Sequence, residues 1–93
     1  MTPEGRVKAA IKAWLREHNV WYYMPVQNGM GMMGVPDFIL CYKGRFVAVE
    51  CKAPGKRSTV TPLQERNIAG INASGGVAYV ATSLEEFLSG LPL

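Results

Sequence analysis

Apolar residues near the start of the chain recur with the period of an α-helix. They stand three or four positions apart, which lines up one face of an amphipathic helix. Thr2 followed by Pro3 supplies an N-cap and a first-turn proline, so we expect a helix from this point to about His18. The apolar face consists of Val7, Ala10, Ile11, Trp14 and Leu15, and the opposite stripe of Lys8, Lys12 and Arg16.

Four later stretches have the residue types and lengths of β-strands. Runs rich in Val, Ile, Phe and Tyr predict strands over 20–26, 35–42, 45–52 and 77–82. Pro25 restricts the first strand to an edge or an end of the sheet. The short Lys43-Gly44 turn joins the second and third strands as a hairpin. Residues 27–34 are expected to form a glycine-punctuated loop, and residues 53–60 a basic loop.

Capping patterns predict two further helices. Thr61 stands three residues before Gln64, which is the spacing of a capping box, and opens a helix that ends before Gly75. Ser83 and Glu86 repeat this spacing and predict a second capping box at the start of a terminal helix.

The order of these elements, α-β-β-β-α-β-α without repeats, predicts a single α/β domain over residues 1–93, with a mixed central sheet flanked by helices. A chain of this length with 48% hydrophobic residues is long enough to bury one core.

No apolar stretch approaches the roughly 18–20 residues of a membrane span, and the first residues lack the apolar segment of an export signal. Cys41 and Cys51 lack zinc-site spacing and fall on opposite faces of the hairpin, so we expect no disulfide and a reducing, cytoplasmic location.

Basic residues are concentrated in the first two thirds of the chain. All ten Lys and Arg residues and five of the seven acids lie within residues 1–66, which gives this part a formal charge of +5. Such a surface favours contact with phosphate groups, but many small domains are mildly basic, so charge alone does not identify a partner. The best candidates for phosphate contacts are Lys56 and Arg57, with a solvated loop as the alternative.

Three charged residues interrupt the otherwise apolar hairpin. With two residues in the turn, paired positions sum to 87, so Asp37 faces Glu50. Directly opposed residues have Cβ atoms about 4.5–5.5 Å apart, and Lys52 lies on the same face two residues beyond Glu50. Opposed carboxylates repel each other, and bound Mg²⁺ or Mn²⁺ would remove that repulsion. The pattern therefore predicts a divalent-cation site on this hairpin.

Alternatives to this site remain open from the sequence. A three-residue turn with a glycine bulge would shift the pairing by one and take Asp37 out of opposition to Glu50. The three charges would also suit the solvated face of a sheet, with Lys52 offsetting Glu50. Glu4 precedes Val7 by three residues on the core-facing side of the first helix. It would either join Asp37 and Glu50 in the site or only stabilise the helix by interacting with its dipole.

Three short motifs follow one another along the chain: Gly34-Val35-Pro36-Asp37, Glu50-Cys51-Lys52 and Thr61-Pro62-Leu63-Gln64. They resemble the G-x-P-D, E-x-K and Gln-ending motifs of the virus-type replication-repair nuclease domain, VRR-NUC, in the PD-(D/E)XK superfamily. The resemblance covers essentially the whole chain. E-x-K alone is uninformative, but Pro-Asp at the head of one strand, E-x-K in the next and Gln at the start of the following helix form a far more specific combination. The fold that this resemblance implies is the restriction-endonuclease-like αβββαβ core.

The resemblance also implies a metal-dependent phosphodiesterase that acts on DNA with Mg²⁺ or Mn²⁺. The metal ligands would be Glu4, Asp37, Glu50 and the main-chain carbonyl of Cys51. Lys52 would act on the attacking water, and Gln64 would complete the catalytic set with the acids. Free-standing domains of this family resemble archaeal junction resolvases, which implies a homodimer that cuts branched or flapped DNA. The sequence contains no base-reading motif, so we do not expect a sequence-specific restriction enzyme.

Three functions are consistent with these residues. The first is a structure-selective endonuclease, the second a catalytically inactive nucleic-acid-binding module of the same fold, and the third a small interaction protein with incidental acids. Intact G-x-P-D and E-x-K motifs favour the first over the second, because a module that only binds would be better served by losing the repelling acids. Gln64 has a sufficient local role in its capping box, and a role in the site is the alternative.

Overall fold

The computed structural model describes residues 1–26 and 31–93. Its helices and strands are α1 Pro3–Glu17, β1 Trp21–Tyr23, β2 Phe38–Tyr42, β3 Arg45–Cys51, α2 Pro62–Ala73, β4 Val77–Ala81 and α3 Leu84–Gly90, with a 3-10 turn at Arg57–Thr59. This order is the predicted one, so the α/β class is confirmed. Residues 27–30 of the predicted glycine loop lie outside the described residues.

The strands form one mixed sheet in the order β1-β2-β3-β4. The pairs β1–β2 and β2–β3 are antiparallel, whereas β3 and β4 are parallel and α2 connects them. The first strand lies at an edge of the sheet, as Pro25 predicted. It is shorter than predicted, because the strand ends at Tyr23, two residues before that proline.

The two faces of the sheet are covered unequally. Side chains alternate between the faces along each strand, and the buried residues of β2 and β3 pack with α1 and α3 into one hydrophobic core. This core includes Val7, Ile11, Leu15, Phe38, Leu40, Val47, Val49 and Phe87. The other face carries Glu50 and is covered by α2, which contacts β3 and β4. The cysteines follow the predicted alternation, since Cys51 is buried, Cys41 is exposed and both are free thiols.

The helix starts follow the capping patterns with one difference. The capping box of α2 is complete: Gln64 N–H donates to Thr61 Oγ1, and Thr61 N–H donates to Gln64 Oε1. The second predicted box, at α3, is wrong in its second half. Glu86 N–H does donate to Ser83 Oγ, but the Glu86 carboxylate accepts from Thr82 N–H and Oγ1–H at 2.7 Å rather than from the N-cap N–H.

No helix among the described residues is long and apolar enough to cross a membrane.

Candidate active site

The hairpin between β2 and β3 has the two-residue turn on which the predicted register depends. Lys43 and Gly44 have φ angles of 50° and 78°, both in the left-handed region that a type I′ turn requires. The pairing runs from Tyr42 opposite Arg45 to Phe38 opposite Val49. These partners sum to 87, so the predicted register is confirmed and the glycine-bulge alternative is excluded.

Asp37 directly precedes Phe38, the first paired residue of β2, and Glu50 directly follows its partner Val49. The two acids therefore lie together at the end of this ladder, close enough for a hydrogen bond between their side chains. Asp37 is held by two groups from different parts of the chain. Cys51 N–H donates to Asp37 Oδ2 at 2.8 Å, and Lys8 Nζ lies 3.3 Å from Asp37 Oδ1.

Glu50 is a buried acid whose side chain is 4% exposed. Gln64 Nε2 donates to Glu50 Oε2 at 3.1 Å, and Lys52 Nζ lies 3.8 Å from the same oxygen. Burial raises the pKa of Glu50 to about 8, and the charge of Asp37 and a hydrogen bond with it act in the same direction, whereas the Lys52 ammonium lowers it. A carboxyl with such a pKa is held next to another acid at an energetic cost that a cation would relieve.

Lys52 follows Glu50 on the same side of the sheet and is buried. Its N–H donates to Ala81 O at 3.1 Å, which continues the pairing of β3 with β4 and fixes its backbone. The predicted grouping of Asp37, Glu50 and Lys52 is therefore present. A freely solvated sheet face does not describe it, because Glu50 and Lys52 are only 3% and 8% exposed.

Gln64 fills both roles that the sequence left as alternatives. Its side-chain oxygen closes the capping box of α2 by accepting from Thr61 N–H. The same amide then directs its nitrogen to Glu50. The start of α2 is thereby tied to the acid in β3.

Gly34 brings the chain segment before Asp37 against the first turn of α2. Its φ of 75° lies in the left-handed region, and a Cβ built on it would come within 2.8 Å of the Leu63 backbone carbonyl carbon. Asn67 Nδ2 adds a second link by donating to Met33 O at 3.0 Å. Glycine is therefore required here both by conformation and by close approach. Between these elements lies a cleft of about 480 Å³ whose lining includes Asp37, Glu50 and Gln64.

Glu4 lies at the margin of the site and reaches it through Lys8. Lys8 Nζ is 3.3 Å from Glu4 Oε2 and 3.3 Å from Asp37 Oδ1, so one ammonium bridges two acids. Desolvation lowers the pKa of Lys8, but the charge of Asp37 and the hydrogen bonds to Asp37 and Glu4 outweigh it, and the pKa is raised.

The prediction that Lys8 belongs to the stripe opposite the apolar face is wrong. Lys8 follows the buried Val7 and stands four residues after Glu4. This spacing could have indicated a residue at the border of the apolar face, within reach of an acid one turn earlier. Its second partner, Asp37, is distant in the sequence and gave no signal.

Cys51 is the last residue of β3 and lies beyond the last pair of the β2–β3 ladder. Its N–H donates to the Asp37 side chain, which brings the Cys51 main chain to the acids. The Cys51 thiol belongs to the buried core, where burial raises its pKa. Any role of this residue in the site is therefore that of its backbone.

The available donors fit a hard divalent cation of the Mg²⁺ class. Such ions take carboxylate and carbonyl oxygens and keep several waters, and Asp37, Glu50 and the Cys51 carbonyl offer that set. Within residues 1–26 and 31–93, no three His, Cys, Asp or Glu side chains are grouped to hold a metal. Glu4 is paired with Lys8, and its predicted role as a metal ligand stays a prediction.

The basic loop after β3 behaves differently from the expectation of phosphate-contacting residues. Arg57 Nη2 forms an ion pair with Glu86 Oε1 at 2.7 Å, and Arg57 Nη1 donates to Val80 O at 3.3 Å. Arg57 thus fastens the loop to β4 and α3, which is a structural role. Lys56 is exposed, and its predicted contact with phosphate stays a prediction.

Comparison with protein-family models gives no match for this chain, and comparisons with curated proteins and with solved structures give none either.

Proposed function

We propose that this chain is a Mg²⁺- or Mn²⁺-dependent DNA endonuclease with a PD-(D/E)XK core of the VRR-NUC type. One observation carries the proposal: the Asp37 and Glu50 side chains lie within hydrogen-bond reach of each other at the end of the β2–β3 ladder, with the Lys52 ammonium 3.8 Å from the Glu50 carboxylate. Two facing acids raise each other's free energy. A bound cation would offset this repulsion, which explains why the two acids lie together. The hypothesis of incidental acids offers no such explanation.

The proposed metal ligands are Asp37, Glu50 and the Cys51 carbonyl. A bound Mg²⁺ or Mn²⁺ would lower the pKa of its water and neutralise charge on the phosphoryl oxygens of a phosphodiester. The surrounding residues orient this set before any substrate arrives. Cys51 N–H fixes one oxygen of Asp37, and Gln64 fixes one oxygen of Glu50.

Lys52 is the proposed partner of the attacking water. Its ammonium is a compact point charge, held by burial and by Glu50 beside the acids. From this position it would orient the water by hydrogen bonding and stabilise negative charge that develops on the scissile phosphate. No histidine is required for this chemistry.

The proposed substrate is branched or flapped DNA, and the proposed assembly is a homodimer. A domain with one such site would cut one strand at a time, so symmetric cleavage of a four-way junction needs two sites related by a two-fold axis. Among the described residues no strand pairs with the outer edge of β1, which is therefore available for such an assembly, and Trp21 and Tyr23 on this strand are exposed.

Cleavage of labelled flap, junction and single-stranded DNA with Mg²⁺ or Mn²⁺ tests the proposed activity. We expect the wild-type protein to cut at least one of these substrates, and Asp37→Asn and Lys52→Ala to lose at least about 100-fold in rate, the size of removing a positioned charge from a reaction site. Asn keeps an oxygen that can accept from Cys51 N–H, and it removes the negative charge beside Glu50, which offsets the loss of the partly exposed ion pair with Lys8. Asp37→Asn should therefore melt without metal at or above the wild-type temperature. A pure wild-type protein that binds these DNAs but cuts none of them would identify the inactive binding module instead.

A further inference from the structure

A second cavity, of about 670 Å³, lies beside the candidate site on the same face of the sheet. Its walls are apolar for the most part and come from β2, β3 and α2, and they include Met32, Ile39, Phe46 and Ile71. Phe46 lies on the inner strand β3 and is nevertheless 50% exposed, so it marks an apolar surface that the described part of the chain leaves uncovered.

This cavity adjoins the cleft that holds the two acids. Val35 lines both spaces, and Pro36, which lines the cavity, directly precedes Asp37. Along β3, Phe46 and Glu50 are four residues apart, which corresponds to about 13 Å. At about 3.4 Å per nucleotide of a stacked strand, no more than about four nucleotides separate the two positions.

The charge at the cavity favours a nucleic acid over a basic or neutral partner. Arg66 is the charged residue in the described lining of the cavity. An aromatic wall beside an arginine can stack a base while the guanidinium attracts the phosphate backbone.

We propose that this cavity binds an unpaired nucleobase of the DNA strand that enters the candidate site. The inference rests on the proposed function, since it takes DNA as the ligand, and it narrows the substrate to DNA with a single-stranded segment near the cleaved bond. A base enters against Phe46, and Arg66 contacts the backbone that follows it. Fully paired duplex DNA offers no such base.

Gly70 offers a way to close the cavity without unfolding the protein. It lies in the interior of α2, lines the cavity, and a Cβ built on it meets no atom within 4 Å. Leucine at this position takes up part of the space beside Phe46 and is a better helix former than glycine. Gly70→Ala is the matched control, because it makes the same backbone change without filling the cavity.

The test is fluorescence anisotropy in EDTA with a labelled 12-nucleotide oligodeoxythymidylate and with an abasic strand of the same length. The wild-type protein and Gly70→Ala should bind the base-bearing strand about tenfold more tightly than the abasic strand, the size of stacking one base. Gly70→Leu and Phe46→Leu should lose this preference but keep their affinity for the abasic strand, and Phe46→Tyr should retain the preference.

Two results would overturn the inference. One is equal affinity of the wild-type protein for the two strands. The other is a wild-type dimer that Gly70→Leu makes monomeric without a change in either affinity, which would assign the cavity to a contact between two copies. Because EDTA prevents metal-dependent cleavage, base-dependent binding by a protein that cuts no DNA would support the cavity while contradicting the proposed activity.

Discussion

At the scale of single residues, Lys8 and a divalent cation compete for Asp37. The Lys8 ammonium lies 3.3 Å from Asp37 Oδ1 and is one-third exposed. A metal ion bound by Asp37 and Glu50 would be repelled by the Lys8 ammonium, which already neutralises the charge of Asp37. Lys8 therefore stabilises the protein without metal and weakens the proposed metal site.

Replacing Lys8 by methionine should tighten Mn²⁺ binding by up to about fivefold, which corresponds to a partly exposed ion pair of about 1 kcal/mol. Isothermal titration calorimetry measures the change. Lys12→Met is the matched control, since it removes the same charge from α1 four residues further on. Weaker binding by Lys8→Met, or an equal gain in both variants, would contradict a direct competition for Asp37.

The raised pKa of Glu50 predicts how stability without metal depends on pH. Its folded-state pKa of about 8 lies above its ordinary value of 4.5, so the folded state favours the protonated form. The stabilisation is fully present below about pH 4.5 and is lost as the pH rises through about 8. Between these values this group lowers the free energy of unfolding by up to about 1.4 kcal/mol per pH unit.

Urea unfolding in EDTA from pH 5 to 8 tests this dependence. The wild-type protein should lose stability more steeply with rising pH than Glu50→Gln, which cannot ionise at this position. Glu85→Gln, an exposed acid of α3, controls for the loss of one carboxylate. Parallel curves for the wild-type protein and Glu50→Gln would contradict a raised pKa of Glu50 in the folded protein.

At the scale of elements, the site depends on the contact between α2 and the segment before β2. Gly34 makes this contact, with a positive φ and with Leu63 at a distance that leaves no room for a Cβ. Gly55 has nearly the same φ, 79°, but nothing within 4 Å of a Cβ built on it. The two glycines therefore separate the cost of the conformation from the cost of the overlap.

Gly34→Ala should destabilise the protein more than Gly55→Ala by about 1–3 kcal/mol, the usual cost of overpacking. Both changes share the cost of a left-handed residue, about 1–2 kcal/mol. Chemical denaturation measures both values, and metal binding by Gly34→Ala should weaken as Gln64 moves from Glu50. Equal destabilisation by the two substitutions would mean that Gly34 does not set the position of α2.

The elements and the acid pair were predictable because their signals are local. The helical spacing of the apolar residues, the Thr61–Gln64 box and the two-residue turn each lie within a few positions of the chain. That turn alone fixed the register that opposes Asp37 to Glu50. The contacts that sequence reasoning missed join distant segments: Lys8 with Asp37, and Arg57 with Glu86. Both involve long side chains whose partner is chosen by tertiary packing.

The hydrogen bonds of the Glu86 carboxylate show a further limit of prediction from local sequence patterns. Its spacing from Ser83 is right for a capping box, yet its carboxylate accepts from Thr82 and from Arg57 instead. These hydrogen bonds lower the pKa of Glu86, with the Thr82 hydroxyl as the main cause. The capping pattern names the Ser83 N–H as the donor to this carboxylate, but the Thr82 and Arg57 donors take its place.

At the scale of the whole molecule, the proposed nuclease must assemble in pairs to cut both strands of a junction. We predict a homodimer of twice the 10.2 kDa chain mass at micromolar concentration, formed through β1. Trp21→Lys sets a charge on this edge, where lysine opposes strand pairing, and should shift the protein to monomers. Light scattering coupled to gel filtration measures the mass. A monomeric wild-type protein would contradict the prediction.

The central claim is that Asp37 and Glu50 hold one cation between them. A crystal grown with Mn²⁺ and measured for anomalous scattering tests it most directly. We predict a single strong peak in contact with a carboxylate oxygen of each acid, and no peak in crystals of Asp37→Asn. A wild-type crystal without a peak between these two acids, or with the ion held elsewhere, would contradict the account.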